Sequence, residues 1–198
     1  GNDQLSLYSR LENDDYAIQA LADLTEDKVV QLGVDAAVTG NQTFSLKQIE
    51  GLDISAQVIL EDTKLGTFTN LRTSESYSYV FTPEVDKFRF RLHFKPGVTF
   101  TTSTESCVQN DGELMIQSPS ATTWSYVVQN AQGVQVASAE NFSGNATISN
   151  LDGGIYTVLL SNAFGTHINQ AVEVAQGAPV SASITASATV VDLNQGAV

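Results

Sequence analysis

The sequence predicts an all-β fold: two tandem antiparallel β-sandwich (Ig-like) domains, followed by a C-terminal β-prone tail. Three observations predict it. Apolar residues alternate with a period of two through most of the chain. Such segments recur at a spacing of about 8–12 residues, broken by Gly, Pro, Asn and Asp clusters, which is the pattern of a sandwich. Charge changes abruptly near residue 102, which marks a boundary between two units.

The alternation is strongest over Tyr77 to Phe94, YSYVFTPEVDKFRFRLHF. Tyr77, Tyr79 and Phe81 fall on one face of a first run, and Phe88, Phe90, Leu92 and Phe94 on one face of a second. Ser78, Thr82, Arg89, Arg91 and His93 fall on the opposite faces, as successive side chains of a strand do. The five residues Pro83-Glu84-Val85-Asp86-Lys87 separate the runs, a length that suits a hairpin loop. The expectation is a β-hairpin whose aromatic face is the core of the first domain. Val80, on the other face, predicts that this second face is partly covered as well.

The remaining elements of the first unit, residues 1–102, follow in order. Leu5, Leu7 and Leu11 alternate, Asn13-Asp14-Asp15 turns the chain, and Ile18, Ala20 and Ala22 alternate again. A short helix over Asp15 to Leu24 is the rival reading there, because Ala and Leu are good helix formers. Val30, Leu32 and Val34 make the next strand, Phe44 and Leu46 another, and Ala56, Val58 and Leu60 a further one ending at Glu61-Asp62. Phe68 and Leu71 form a shorter segment before the aromatic runs. Lys95-Pro96-Gly97 ends the last strand, since Pro has no donor for a ladder. Thr99 to Ser106, rich in Thr and Ser, reads as a linker or a final edge strand.

The second unit, residues 103–176, is predicted to hold seven short strands between 112 and 174. Leu114 and Ile116 alternate; Trp124, Tyr126 and Val128 share a face, and Trp124, the only tryptophan, is expected at the centre of a small core. Asn130-Ala131-Gln132-Gly133 turns the chain. In Leu151-x-x-Gly154-x-Tyr156-x-Val158, a Tyr two residues after a Gly at a strand start can form a tyrosine corner, its hydroxyl bonding to backbone upstream. Residues 177–198 are a linker, Gly177-Ala178-Pro179, and a strand-like run from Val180 to Val190. That run has no partner strand of its own, so it is expected to dock on an edge of the second unit or to pair with another copy of itself.

Composition bounds the function. Apolar residues make up 42 % and charged residues 16 %, as in a globular chain, and no apolar run reaches the ~20 residues of a membrane span. The net charge is −13. All nine Lys and Arg lie between Arg10 and Lys95, with 15 acids up to residue 102; beyond it stand seven acids and no base. A base-free acidic half cannot neutralise phosphates, which excludes nucleic acid and anionic membrane as expected partners.

The chemistry-bearing residues are few. Cys107 is the only cysteine, expected as a small buried hydrophobe, and neither His93 nor His167 stands beside it as a base. Asp14-Asp15, Glu61-Asp62, Asp111 and Asp152 are expected in loops, where acids can hold Ca²⁺, but no D-x-D-x-D-G loop occurs. Asn41-Gln42-Thr43, Asn141-Phe142-Ser143 and Asn145-Ala146-Thr147 match the glycosylation acceptor pattern by chance. No P-loop, dinucleotide fingerprint or nucleophile elbow is present. No catalytic, cofactor-binding or metal residue is assigned, and no cofactor is expected.

Asn13-Asp14-Asp15-Tyr16-Ala17-Ile18, Val30-Gln31-Leu32-Gly33-Val34, Phe44-Ser45-Leu46, Val58-Ile59-Leu60-Glu61-Asp62, Leu71, Tyr77 to Thr82 and Arg89 to Phe94 together resemble a β-sandwich module of large secreted and surface proteins of Bacteroidetes. The resemblance covers about 95 residues and brings no catalytic residues with it. Such modules lie beside immunoglobulin-like repeats, and Leu151 to Val158 resembles a late strand of those repeats. The second unit also looks like the C-terminal sorting domain of type IX secretion substrates, but it departs from it: the chain runs on past the last strand and carries no terminal Lys or Arg. Val180 to Val190 resembles the first strand of a PKD (polycystic-kidney-disease-type) domain, without that family's W-x-F-G-D-G segment. These resemblances imply a non-catalytic structural or adhesive module of an exported protein at the outer cell surface. Its partners would be other domains of the same protein and a glycan or surface protein. A carbohydrate-binding or accessory module of a secreted hydrolase is the alternative.

Overall fold

A computed structural model describes residues 5–17, 20, 23–74, 76–107, 109–179 and 183. Among them there are fifteen strands and no helix, in antiparallel sheets, so the all-β prediction holds. Asp15 and Tyr16 of the rival helix lie in a strand. The run from Val180 to Val190, and with it the PKD resemblance and the expected edge pairing, lies outside the described residues apart from Ser183.

Eight strands build the first sandwich: β1 (Ser6–Leu11), β2 (Asp14–Tyr16), β3 (Lys28–Asp35), β4 (Gly40–Phe44), β5 (Gln57–Asp62), β6 (Thr67–Asn70), β7 (Tyr77–Phe81) and β8 (Phe90–Lys95). Six form one sheet in the order β2-β1-β3-β8-β5-β6, and β4 pairs with β7 in a small second sheet. The inner face of the large sheet presents Val30, Leu32 and Val34, Val58 and Leu60, and Phe90, Leu92 and Phe94. The small sheet covers it with Phe44, Tyr77, Tyr79 and Phe81. Phe90 is the hub: its ring centroid lies 4.5 Å from that of Tyr79 and 4.8 Å from that of Phe44, both edge-on, the favoured aromatic geometry.

The predicted aromatic hairpin is not one. β7 pairs with β4, and β8 pairs with β3 and β5, so the two runs lie in opposite sheets and meet ring to ring across the core. The connection from Thr82 to Arg89 arches from one sheet to the other. Buried polar groups hold it there. Asp86 is fully buried; its Oδ2 accepts from Thr82 N at 2.8 Å, and its Oδ1 accepts from the Lys64 ammonium at 3.0 Å. Arg89, expected on an outward face, is also buried. Its Nε and Nη2 fork onto Asp62 at 2.8 and 2.5 Å, and its Nη1 donates to Val80 O at 3.3 Å. Phe88 precedes the strand and is 37 % exposed, packing edge-on to Tyr8. Val80 is 55 % exposed, so its face is open and not covered as expected.

Asp62 and Glu61 belong to β5 and not to a loop, and Asp14 and Asp15 belong to β2. Asp62 accepts five hydrogen bonds: two from Arg89, one from Tyr77 OH at 2.6 Å, and those of the Lys64 and Leu65 amides at 3.0 and 3.2 Å. Burial pushes its carboxyl up, but the bonds from Arg89 and Tyr77 outweigh that and hold it at about 2.

The second sandwich has β9 (Thr99–Ser103), β10 (Gly112–Gln117), β11 (Trp124–Gln129), β12 (Gln135–Phe142), β13 (Asn145–Leu151), β14 (Gly154–Asn162) and β15 (His167–Val174). A three-stranded sheet, β13-β10-β9, packs on a four-stranded one, β12-β11-β14-β15. Six strands, not the expected seven, lie between residues 112 and 174; the seventh of this sandwich is β9, which precedes residue 112. Thr99–Ser103 is therefore neither a linker nor an edge of the first sandwich, since it pairs with β10 from Glu113↔Ser103 to Gln117↔Thr99. Val98 already belongs to the second core, with Leu114, Ile116, Val128, Val158 and Trp124. Trp124 is 1 % exposed and belongs to this core as its largest fully buried side chain, entering from the first residue of β11 opposite Asn162. The tyrosine corner is present: Tyr156 is 5 % exposed and its hydroxyl donates to Asp152 O at 3.0 Å.

Replacing Asp62 by Asn removes the forked partner of Arg89 and leaves only Asp86 Oδ1, 3.6 Å away, to balance its charge in an aromatic core; the expected loss is about 3 kcal/mol. The pH dependence follows from the depressed carboxyl. Its contribution, on the order of 2 kcal/mol, is fully present above the unfolded pKa near 3.8 and is lost as pH falls through about 2. Urea midpoints between pH 5 and 2 should fall more steeply for the parent chain than for Asp62→Asn; parallel curves would show that Asp62 carries no such linkage.

Candidate functional site

The residues singled out in the sequence do not converge. Cys107 is a free, half-buried thiol at one end of the second sandwich. His167 begins β15 at the other end, and His93 lies on β8 of the first sandwich, its Nε2 2.8 Å from Glu61 Oε2. Neither histidine therefore stands by the thiol as a general base. Asp111 accepts from Ser106 N at 2.6 Å and from Ser106 Oγ, which turns the loop after β9. Among the described residues no group of three or more His, Cys, Asp or Glu side chains could hold a metal ion.

What the fold does bring together is the junction between the sandwiches. Lys95 ends β8 and Thr99 begins β9, so only residues 96–98 connect them. Pro96 and Val98 are buried. Val98 N donates to Ser55 Oγ at 2.8 Å, and Ser55 is anchored by its own N–H to Asp53 Oδ1 at 2.7 Å. Gly97 must be glycine, because a Cβ there would collide with Ser55 Oγ and lie 2.7 Å from Asp53 Oδ1.

A second contact lies on the outer face of the six-stranded sheet. The turn between β14 and β15, Asn162 to Thr166, is built on Asn162, whose Oδ1 accepts from the Phe164 and Thr166 amides at 2.9 and 3.2 Å. The turn docks on β6: the Asn70 carboxamide donates to Phe164 O at 3.1 Å and to Thr166 Oγ1 at 3.0 Å. The Phe164 ring packs edge-on to Phe68 at 6.3 Å and lies 6.0 Å from the Lys95 ammonium. Ile59, opposite Asn70 and His93 in register on this face, is fully buried. β5 is thus buried on both faces, one against the aromatic core and one at the junction.

The chain leaves the second sandwich at its far end. Glu105 N donates to Ala175 O at 2.9 Å and Gly177 N to Glu105 O at 2.7 Å, a parallel bridge after β15. Glu105 is 3 % exposed and its Oε2 accepts from Gly153 N at 2.7 Å. The eight residues of β15 separate this pole from the junction by about 26 Å.

The outer face of the four-stranded sheet holds a shallow groove of about 480 Å³, with Ser125, Ser161 and His167 in one cross-strand row and Val127, Leu159 and Asn169 in the next. It lacks an aromatic platform: Tyr126 packs inward, edge-on to Phe142 at 5.4 Å.

A family described as a domain of unknown function (DUF8693) matches residues 1–94, the first sandwich up to the last turn of β8. No curated protein matches the chain. Among solved structures, "Biofilm associated protein - BSP domain" matches with 14 % identity and a TM-score of 0.31, covering 78 % of this chain and 28 % of that one. The chain thus spans less than a third of that protein's length, and a likeness at this TM-score carries nothing over to it.

Asn70→Ala should leave both cores folded and release the docked turn. Loss of the two carboxamide bonds, about 0.5–1.5 kcal/mol each, predicts faster amide exchange at Phe164 to Thr166 by roughly 5- to 150-fold. Unchanged exchange would mean that the second sandwich alone holds the turn.

Proposed function

We propose that this chain is a non-catalytic structural or adhesive module of an exported bacterial cell-surface protein, a stiff two-sandwich segment that spaces or presents other domains. The observation that carries the reading is the path of the chain. It enters the second sandwich at the locked junction and leaves it at the opposite pole, so modules joined this way stack end to end. Sheets are stiff along their strands, and a three-residue connection pinned by Ser55 and by the Asn70 carboxamide leaves little freedom for hinging. The net charge of −13 suits a well-solvated surface location and works against nucleic acid or membrane insertion.

The module then has no reaction of its own. Its partners are the neighbouring domains and, through its open faces, a glycan or surface protein outside the cell. The resemblance to Bacteroidetes surface modules beside immunoglobulin-like repeats points the same way. The alternative, a carbohydrate-binding or accessory module of a secreted hydrolase, has less support. Tyr77, Tyr79 and Phe81 are core residues, and Phe68 and Phe88, though partly exposed, pack edge-on to other rings.

Residual dipolar couplings from the two sandwiches should fit one shared alignment tensor. Inserting four Gly-Ser residues after Gly97 should split it into two. Two independent tensors in the parent chain would overturn the stiff-spacer reading. Saturable binding on a neutral-glycan array would favour the alternative.

A further inference from the structure

A sheet edge is a row of open backbone donors and acceptors, and proteins blunt it with a bulge, a proline, a lysine or a short strand. Most edges of this chain are blunted. β2 has three residues, two of them aspartates, and β4, β7 and β9 have five each. β6 lies under the docked turn. The ladders of β12 and β13 are broken by register shifts.

β15 has none of these devices. It ends the order β12-β11-β14-β15. Its eight residues, HINQAVEV, contain no Pro, Lys or Arg and pair with β14 without a shift from Gly154↔Val174 to Ser161↔His167. His167, Asn169, Gln170, Ala171 and Glu173 are exposed. Among the described residues, backbone bonds on its outer side begin only at Ala175, with the bridge to Glu105. Alternate residues of β15 therefore direct N–H and C=O away from β14.

We propose that β15 is the edge through which two copies of this chain pair, antiparallel across a two-fold axis at Gln170, joining two four-stranded sheets into one of eight. The strand is self-complementary in that register. Ile168 and Val172 share the inner face with Tyr156 and Leu160, and His167, Asn169, Ala171 and Glu173 share the outer one. Self-pairing keeps like faces together only when the two paired numbers have an even sum. With Gln170 on the axis, Ile168 faces the second copy's Val172, Asn169 its Ala171, and His167 its Glu173. His167 is the only basic side chain beyond Lys95, and this register sets it on a carboxylate. Moving the axis to Asn169 puts Ile168 against Gln170, and moving it to Ala171 puts Asn169 against Glu173; both separate His167 from Glu173. The pairing rests on the strand alone and is independent of the surface-module reading.

The test is sedimentation of the full chain at about 0.15 M salt, where the repulsion between two chains of net −13 is screened beyond ~8 Å. An edge of this length buries less than the ~1,200 Å² of the smaller stable interfaces, so the expected result is a monomer–dimer equilibrium with a Kd on the order of 100 µM. His167→Glu sets a carboxylate against that of Glu173 twice per dimer and should weaken association roughly 2- to 30-fold. Adding Glu173→Lys should restore it. Residues 167 and 173 can meet only across the axis, because within one copy about 20 Å of extended strand separates them. Both positions are exposed, and amide shifts unchanged elsewhere show that each variant is folded. A chain that stays monomeric up to about 1 mM would overturn the proposal. So would a dimer indifferent to His167→Glu, or one weakened by it and not restored by the second change, because the contact would then lie elsewhere, the C-terminal run of another copy included.

Discussion

The first sandwich depends on one buried charge cluster, Arg89 between Asp62 and Asp86. Asp62 and Arg89 are almost free of solvent and carry opposite charges beneath an aromatic cluster. Taking two charges out of water is costly, and only a nearly complete set of hydrogen bonds offsets it. Asp62 has five donors, and the Arg89 guanidinium lies 5.3 Å from the Tyr79 ring and 5.1 Å from that of Phe90. The pair also fixes topology. Asp62 lies on the large sheet, Tyr77 and Val80 on the small one, and Arg89 bonds across the gap between them. A hairpin would have kept β7 and β8 in one sheet and left Asp62 without its partners. The arch from Thr82 to Arg89 is the connection that lets the charges meet, and the left-handed Glu84 at its apex (φ 62°) shows the tight turn it requires.

This is also where sequence reading stopped. A period of two tells which residues share a face, and on that count the inner faces of β3, β7 and β8 were legible: Val30, Leu32 and Val34, Tyr77, Tyr79 and Phe81, and Phe90, Leu92 and Phe94 are all found in or against the core, whereas the alternating Leu5, Leu7 and Leu11 at the start of the chain are about half exposed. The period says nothing about which strand pairs with which. Five intervening residues fit a hairpin loop and an inter-sheet arch equally well. Buried charge is invisible to the same pattern, because an Arg beside a Phe in an alternating run is read as solvent-facing. The tyrosine corner was legible because its signal is local: Gly154-x-Tyr156 places the hydroxyl four residues downstream of its acceptor. The junction was not. Asn70 and Thr166 are 96 residues apart, and no local pattern relates them.

The two sandwiches stabilise their polar groups by different means, and charge composition decides which. The first contains every Lys and Arg, and it holds its loops with ion pairs that span the sheets. The second has no Lys or Arg, so no ion pair with those side chains can form within it. Its turns rest on side chains bonding to nearby backbone. Asn130 Oδ1 accepts from the Gln132 and Val134 amides, Asn162 does the same in the docked turn, and Glu105 caps Gly153. Such bonds are short in reach and little affected by salt, whereas exposed pairs such as Lys87–Asp35 are screened.

The junction joins the two schemes. On the first-sandwich side it draws on Asn70 and Ser55, both neutral, and on the second it meets a turn held by an asparagine. Two charged groups border the contact: Asp53, whose Oδ1 holds Ser55, and Lys95. Its ammonium is held by Asp27 of the same sandwich at 2.7 Å while its flank faces Phe164, so even this charge is balanced before it reaches the interface. A connection built from neutral hydrogen bonds, an obligatory glycine and a buried proline keeps its geometry in a changing external medium. A hinge would instead need exposed, small and unbonded residues at 96–98, and of these three only Gly97 is small, where contact with Ser55 and Asp53 leaves no room for a side chain.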